Sequence, residues 1–279
     1  MAEPSSAIVL GGGGVTGIAW EVGVLAGLHA AGVDLSADAV FGTSAGAFVG
    51  VALAGGADLE ALYAVQQAPA EHERATQVPR RLALAWIWAF VRGRRDPERI
   101  GATFGSVARR FTPQVTSEER RRTVAARLGT DEWPATLRVT AIDADSGALQ
   151  VFDHTGGHAL VDVVAASGAV PGISPIVAFA GRRWIDGGMV SSANALLAAG
   201  HERVLVIAPL TKGYGSVPSV AQDVETLRAT AAVELIVPDA AALAAIGPNR
   251  YDPARRPPAA AAGRDQGRAA AEQVRQLFA

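Results

Sequence analysis

Ser44 in GTSAG, Asp186 opening DGG, and the glycine run GGGGVTG over residues 11–17 each close an apolar, strand-like segment. A serine on a sharp strand-to-helix turn is held out at a sheet edge. Glycines two positions either side, here Gly42 and Gly46, let the backbone turn and the following helix pack closely. Asp186 follows a hairpin strand carrying Trp184 and Ile185 and precedes Gly187 and Gly188, so its loop can return to the sheet edge beside Ser44. An ordinary Asp-Gly turn has the same composition. Together the three segments supply a nucleophile, a carboxylate and backbone N–H donors, the minimum set for hydrolysing an ester through an acyl-enzyme.

The glycine run admits other uses. Gly12, Gly14 and Gly17 fit the dinucleotide pattern GxGxxG between a strand and a helix, which would suit a nucleotide-binding oxidoreductase. That pattern calls for an acidic residue at the tip of the second strand. Here Gly42, Thr43 and Ser44 stand there, and Asp34 and Asp38 precede that strand. Alternatively, the amides of Gly12, Gly13 and Gly14 at a helix N-terminus hold the oxyanion formed at Ser44. A turn that only permits close helix packing is a third use of the same residues.

The base is the next question. A triad in α/β-hydrolase order needs a histidine after the acid, and only His201 follows Asp186. His201 lies in AAGHERVLV between a helix end and the next strand, a position that suits a surface turn. His29, His72, His154 and His158 precede Asp186 and carry no recognisable signature. A Ser-Asp dyad is the economical expectation, with partial burial raising the proton affinity of Asp186.

Apolar strand-like runs alternate with helical segments, which predicts an α/β sheet covered on both faces. Strands are expected at residues 7–10, 39–41, 137–143, 148–152, 203–208 and 233–237, with a hairpin around Gly181. Helices are expected at 16–31 and 45–54, both apolar almost all round and hence buried. Residues 79–129 read as an arginine-rich helical insertion, with a capping box at Thr116 and Glu119. A terminal helix is expected at 267–278 after a link rich in proline and alanine. Within the insertion, RRLALAWIWAFVRGRR over 80–95 has an apolar core about half the length that spans a bilayer. Trp86 and Trp88 between flanking arginines suit peripheral contact with a membrane surface or a lid over the site, and a buried helix fits as well.

Composition sets the frame. The 279 residues are 49% hydrophobic and 19% charged, enough to bury a sizeable core; no second domain is evident, and one domain over 1–279 is expected. A formal charge of −2 gives no global reason to expect nucleic acid. The absence of cysteine excludes disulfides, thiolate metal sites and a cysteine nucleophile. MAEPSSAIVL lacks the basic and apolar pattern of a secretory signal, so a cytoplasmic protein is expected. The oligomeric state is not legible.

Taken together, the motifs resemble those of patatin-like phospholipases, serine acyl hydrolases with a Ser-Asp dyad, over nearly the whole chain. GGGGVTG resembles the family's oxyanion glycine motif, GTSAG its nucleophile elbow and DGG its catalytic aspartate motif, in the family's order. ASGAVPG at 166–172 is similar to its A-S-x-A-x-P segment near the acyl pocket. The resemblance implies a three-layer α/β/α sandwich with a central, mostly parallel sheet and a helical insertion. It implies Ser44 as nucleophile, Asp186 as base, and the amides of Gly12, Gly13 and Gly14 as oxyanion hole, with Gly17, Gly42, Gly46, Gly187 and Gly188 as motif support. It implies no metal and no organic cofactor. The family commonly carries arginine or lysine just before the last glycine of its first motif, where this chain has Thr16. Phospholipid, lysophospholipid and neutral acyl esters therefore all stay open as substrates. A non-catalytic lipid-binding or scaffold protein on the same fold is the remaining alternative.

Overall fold

The computed structural model describes residues 4–69, 75–215 and 217–279. In chain order the elements are β1 (Ser6–Leu10), α1 (Gly14–Ala30), β2 (Ala39–Gly42), α2 (Ala45–Ala54), α3 (Leu59–Gln67), α4 (Arg80–Gly93), α5 (Pro97–Arg110) and α6 (Ser117–Leu128). There follow β3 (Leu137–Asp143), β4 (Leu149–Phe152), α7 (Leu160–Ser167), β5 (Val177–Phe179) and β6 (Arg182–Asp186). The chain continues through β7 (Arg203–Ile207), α8 (Val220–Leu227), β8 (Ala232–Ile236), α9 (Ala240–Ile246) and α10 (Arg256–Phe278).

The strands form one eight-stranded sheet. β8, β7, β1, β2 and β3 run parallel side by side, and β4, β6 and β5 add antiparallel pairings beyond them. Alternation of side chains along each strand divides the core. Ile8 and Leu10 face one layer with α1, α2, α7 and α10, while Ala7 and Val9 face the other with α8. A third cluster packs α4 and α5 against Ile142 and Ile185. The result is the expected three-layer α/β/α arrangement.

β3 sets the geometry of the site. Val139 pairs with both Gly42 of β2 and Phe152 of β4, while Ala141 pairs with both Asp186 of β6 and Gln150 of β4. A strand has only two edges, so β2 and β6 share the edge of β3 that β4 leaves open, and they meet end to end. Asp186 arrives two residues beyond the level of Gly42, which is where Ser44 lies.

One expectation changes and two are refined. The terminal helix begins at Arg256 rather than near 267: Pro257 and Pro258 fall in its first turn, where a missing N–H is harmless, and alanine propagates the helix behind them. The insertion is three helices, α4 to α6, and its capping box at Thr116 and Glu119 is formed in both directions. α4 is not apolar all round in its setting. Leu82, Ala89 and Gly93 are buried, whereas Leu84, Ile87, Trp88 and Val91 make an exposed stripe at helical spacing.

Candidate active site

β1 delivers the glycine run to the N-terminus of α1, and β2 delivers Ser44 to the N-terminus of α2. The two turns are bound to each other. Thr43 donates its N–H to the Leu10 carbonyl at 3.0 Å, and Gly46 donates to the Gly11 carbonyl at 2.9 Å. A Cβ at position 46 would collide with the Leu10 carbonyl, which explains the second glycine of GTSAG. Ser44 itself has φ 53° and ψ −111°, a left-handed strand-to-helix conformation that a side chain rarely adopts. Its backbone N–H is held by the Ser167 hydroxyl at 2.8 Å. Ser167 belongs to the ASGAVPG segment.

The Ser44 hydroxyl donates to Asp186 Oδ2 at 2.7 Å, and Asp186 Oδ1 accepts from the Gly188 N–H at 2.7 Å. The Asp186 N–H in turn donates to the Ala169 carbonyl, again in ASGAVPG, at 3.0 Å. Thr140, between the β2 and β6 pairings, contacts the Thr43 hydroxyl at 2.9 Å. Asn194 donates to the Thr43 hydroxyl and the Gly187 carbonyl at 3.0 and 3.1 Å. The carboxylate is only 2% exposed. Burial pushes its pKa up to about 6, against the opposing pull of the Gly188 amide, the Ser44 hydroxyl and the charge of Arg120.

The three amides expected to hold an oxyanion are not equivalent. The Gly12 N–H is engaged with the Ser192 carbonyl at 2.7 Å. Gly13 and Gly14 open α1, where N–H groups have no intrahelical acceptor, and Gly14 turns there with φ 66°. Thr16 is fully buried, and both its N–H and its hydroxyl point to the Arg250 carbonyl.

No described histidine contacts Ser44 or Asp186. His201 bonds the Ala198 carbonyl through Nδ1 at 3.1 Å and stands edge-on to Phe41. It precedes β7, whose first residue pairs with Ser6, so it lies at the opposite end of the parallel strands, roughly 16 Å from the edge that carries Ser44. His158 packs against Phe152 and Phe179, His29 and His154 are exposed, and His72 lies outside the described residues.

Ser44 opens into a cavity of about 1050 Å³ whose walls include Phe48, Leu82, Phe111, Arg120 and Ile173. Leu84 and Trp88 of the exposed α4 stripe also line it. Trp86 does not belong to that stripe: its indole N–H donates to the Pro171 carbonyl at 3.0 Å, and its ring packs on the third core cluster. Ser167, Asn194 and Arg120 are the supporting residues that sequence reasoning missed. Only Ser167 had a signal, the A-S-x-A-x-P segment.

Among solved structures, the chain is similar to VipD from Legionella pneumophila at 13% identity, covering 98% of this chain and 67% of that one with a TM-score of 0.47. It is similar to the type III effector protein ExoU at 17% identity, covering 98% of this chain and 54% of that one with a TM-score of 0.43. The complex of SpcU with ExoU from Pseudomonas aeruginosa gives 17% identity, 98% and 53% coverage, and a TM-score of 0.41. The chain thus spans little more than half of ExoU. A search of curated proteins finds no match. The family model for patatin-like phospholipase matches residues 8–199, a span that begins in β1 and contains the glycine run, Ser44 and Asp186. With its motifs on one sheet edge and that model covering more than half its length, the chain belongs to the patatin-like phospholipase family.

Proposed function

We propose that this protein is a serine esterase that hydrolyses carboxylic esters of lipids through a Ser44 acyl-enzyme, in one acyl-hydrolase domain over residues 1–279. The observation that carries the reading is the 2.7 Å hydrogen bond from the Ser44 hydroxyl to a buried Asp186 carboxylate. Asp186 accepts the proton as Ser44 Oγ attacks the acyl carbon, the N–H groups of Gly13 and Gly14 stabilise the oxyanion, and the proton passes to the departing alkoxide. Water repeats the cycle: Asp186 takes its proton, hydroxide adds to the acyl-enzyme, and Ser44 leaves reprotonated with release of the acid.

The same reading extends to how substrate arrives. Among the described residues no helix is long and apolar enough to cross a membrane. The exposed stripe Leu84, Ile87, Trp88 and Val91 instead suits shallow insertion into a lipid surface, with Arg80, Arg81, Arg92, Arg94 and Arg95 at its two ends to meet anionic headgroups. Leu84 and Trp88 belong to both the stripe and the cavity wall, so a lipid leaving the surface there enters beside Ser44.

Turnover of a p-nitrophenyl butyrate ester tests the dyad. Ser44→Ala should fall to background and Asp186→Asn by at least about a hundredfold, the lower end of general-base contributions. His201→Ala, and each of the other four histidines changed singly, should retain most activity. A folded His201→Ala variant as inactive as Ser44→Ala would overturn the dyad in favour of a triad.

A further inference from the structure

Arg120 projects from α6 into the wall of the cavity that Ser44 lines. Its Nε is shielded from solvent and has no hydrogen-bond partner. Its Nη2 has a single long contact, 3.4 Å to the Gly168 carbonyl, and the guanidinium rests 5.9 Å from the centre of the Phe48 ring. Among the described residues no carboxylate pairs with it. Its neighbour Arg121, by contrast, bonds Asp162 at 2.7 Å. A largely buried guanidinium with donors left over is an unfavourable arrangement unless something else fills them.

Its surroundings indicate what that is. Burial and repulsion from Arg127 push the Arg120 pKa down to about 10, so it remains a cation at neutral pH. Gly168, whose carbonyl it contacts, adjoins Ala169, whose carbonyl accepts from the Asp186 N–H, so the guanidinium stands close to the dyad and its charge is felt at Asp186. Arg81, Arg110 and Arg127 line the same cavity. Glu119, the acidic side chain among the lining residues, is committed to capping its own helix at Thr116. The rest of the wall is largely apolar, so the cavity combines an acyl-compatible surface with a cationic one beside the nucleophile. The motif position where relatives commonly carry a cation holds the buried Thr16 here, and α6 brings a cation to the site from a different direction.

We propose that Arg120 is the specificity-determining residue of this site, binding the phosphate of a phosphodiester carried by the acyl substrate, so that acyl glycerophosphates are preferred to neutral acylglycerols. The planar guanidinium fork carries more donors than its one long contact uses and matches two phosphate oxygens. The assignment rests on the hydrolase reading above and names its substrate class.

The test compares palmitoyl lysophosphatidylglycerol with monopalmitoylglycerol, which share the scissile ester and differ in the phosphate. Arg120→Gln should lower the ratio of kcat/KM values, phosphate ester over neutral ester, by about tenfold or more, and Arg120→Lys, which keeps the charge but not the fork, should lie between. An unmoved ratio overturns the proposal. So does an equal loss on both substrates, which would mean that Arg120 acts only through Asp186 or the fold. A second arm measures binding of the non-hydrolysable 1-O-hexadecyl ethers of glycerophosphoglycerol and of glycerol to the whole chain. Phosphate-dependent binding that weakens about tenfold in Arg120→Gln supports the proposal even if no ester is turned over, in which case the hydrolase reading alone fails. Ether-phospholipid binding that does not weaken in Arg120→Gln overturns it. Should Arg120→Gln not fold, the intermediate ratio expected of Arg120→Lys carries the test, and a wild-type ratio in that variant counts against the fork.

Discussion

At Ser44 the backbone does the positioning. A φ of 53° on a non-glycine residue is unfavourable by roughly 1 kcal/mol or more and is retained because the hydroxyl then faces Asp186. Asp186 works the other way, through its surroundings. With its pKa raised to about 6, the carboxyl is protonated below that pH and cannot take the Ser44 proton, so kcat/KM for a soluble ester should rise with pH along a limb centred near 6. The same shift bears on stability. The folded state holds this proton more tightly than the unfolded chain, so the contribution of the neutral carboxyl is complete below the unfolded pKa near 4 and is lost as pH rises through about 6. Asp186→Asn, which never ionises, should therefore be more stable than the wild type by about 3 kcal/mol at about pH 8, with the gap closing toward about pH 4, as read by urea unfolding. Equal stability at the higher pH would show that the wild-type carboxylate suffers no burial penalty. Ser44 and Asp186 were legible from sequence because their neighbours are glycines required by local turns. Arg120 and Asn194 were not, since each meets the site only through contacts made far along the chain.

At the scale of elements, the head-on meeting of β2 and β6 along β3 brings positions 44 and 186 together across 142 residues. Strand existence was readable from the apolar runs, but that shared edge was not, because pairing register leaves no mark on either strand alone. The insertion shows the same limit. Its helical character and capping box follow from local pattern, whereas the side of α4 that stays open depends on where α5 and the third core cluster fall. Ile87 and Val91 are 59% and 70% exposed and lie outside the cavity wall, so they isolate surface contact from catalysis. Changing both to aspartate should weaken binding to phosphatidylglycerol vesicles at least about tenfold, given about 1.5–3 kcal/mol for each apolar side chain buried, while short-chain ester turnover stays close to wild type. Undiminished vesicle binding would assign the stripe another use.

For the molecule as a whole, the parallel strands bring the glycine run and the elbow to their carboxyl ends, where an open α/β sheet binds its ligands. β6 returns the aspartate to the same edge, and the three helices of the insertion wall the cavity above it. α10 is long because it closes over α1: glycines at 23 and 27 on one helix and at 263 and 267 on the other let the two backbones approach. The alanine-rich composition of the C-terminal segment was consistent with a helix, but the prolines at 257 and 258 pointed to a link, and only packing on α1 decides where the helix starts. Everything in this arrangement converges on one oxygen atom. Treatment of the folded protein with a fluorophosphonate probe, followed by peptide mapping, tests that convergence most directly. The account predicts one label per chain, on Ser44 and absent from Ser44→Ala; a folded protein that takes no label, or takes it on a different serine, would contradict it.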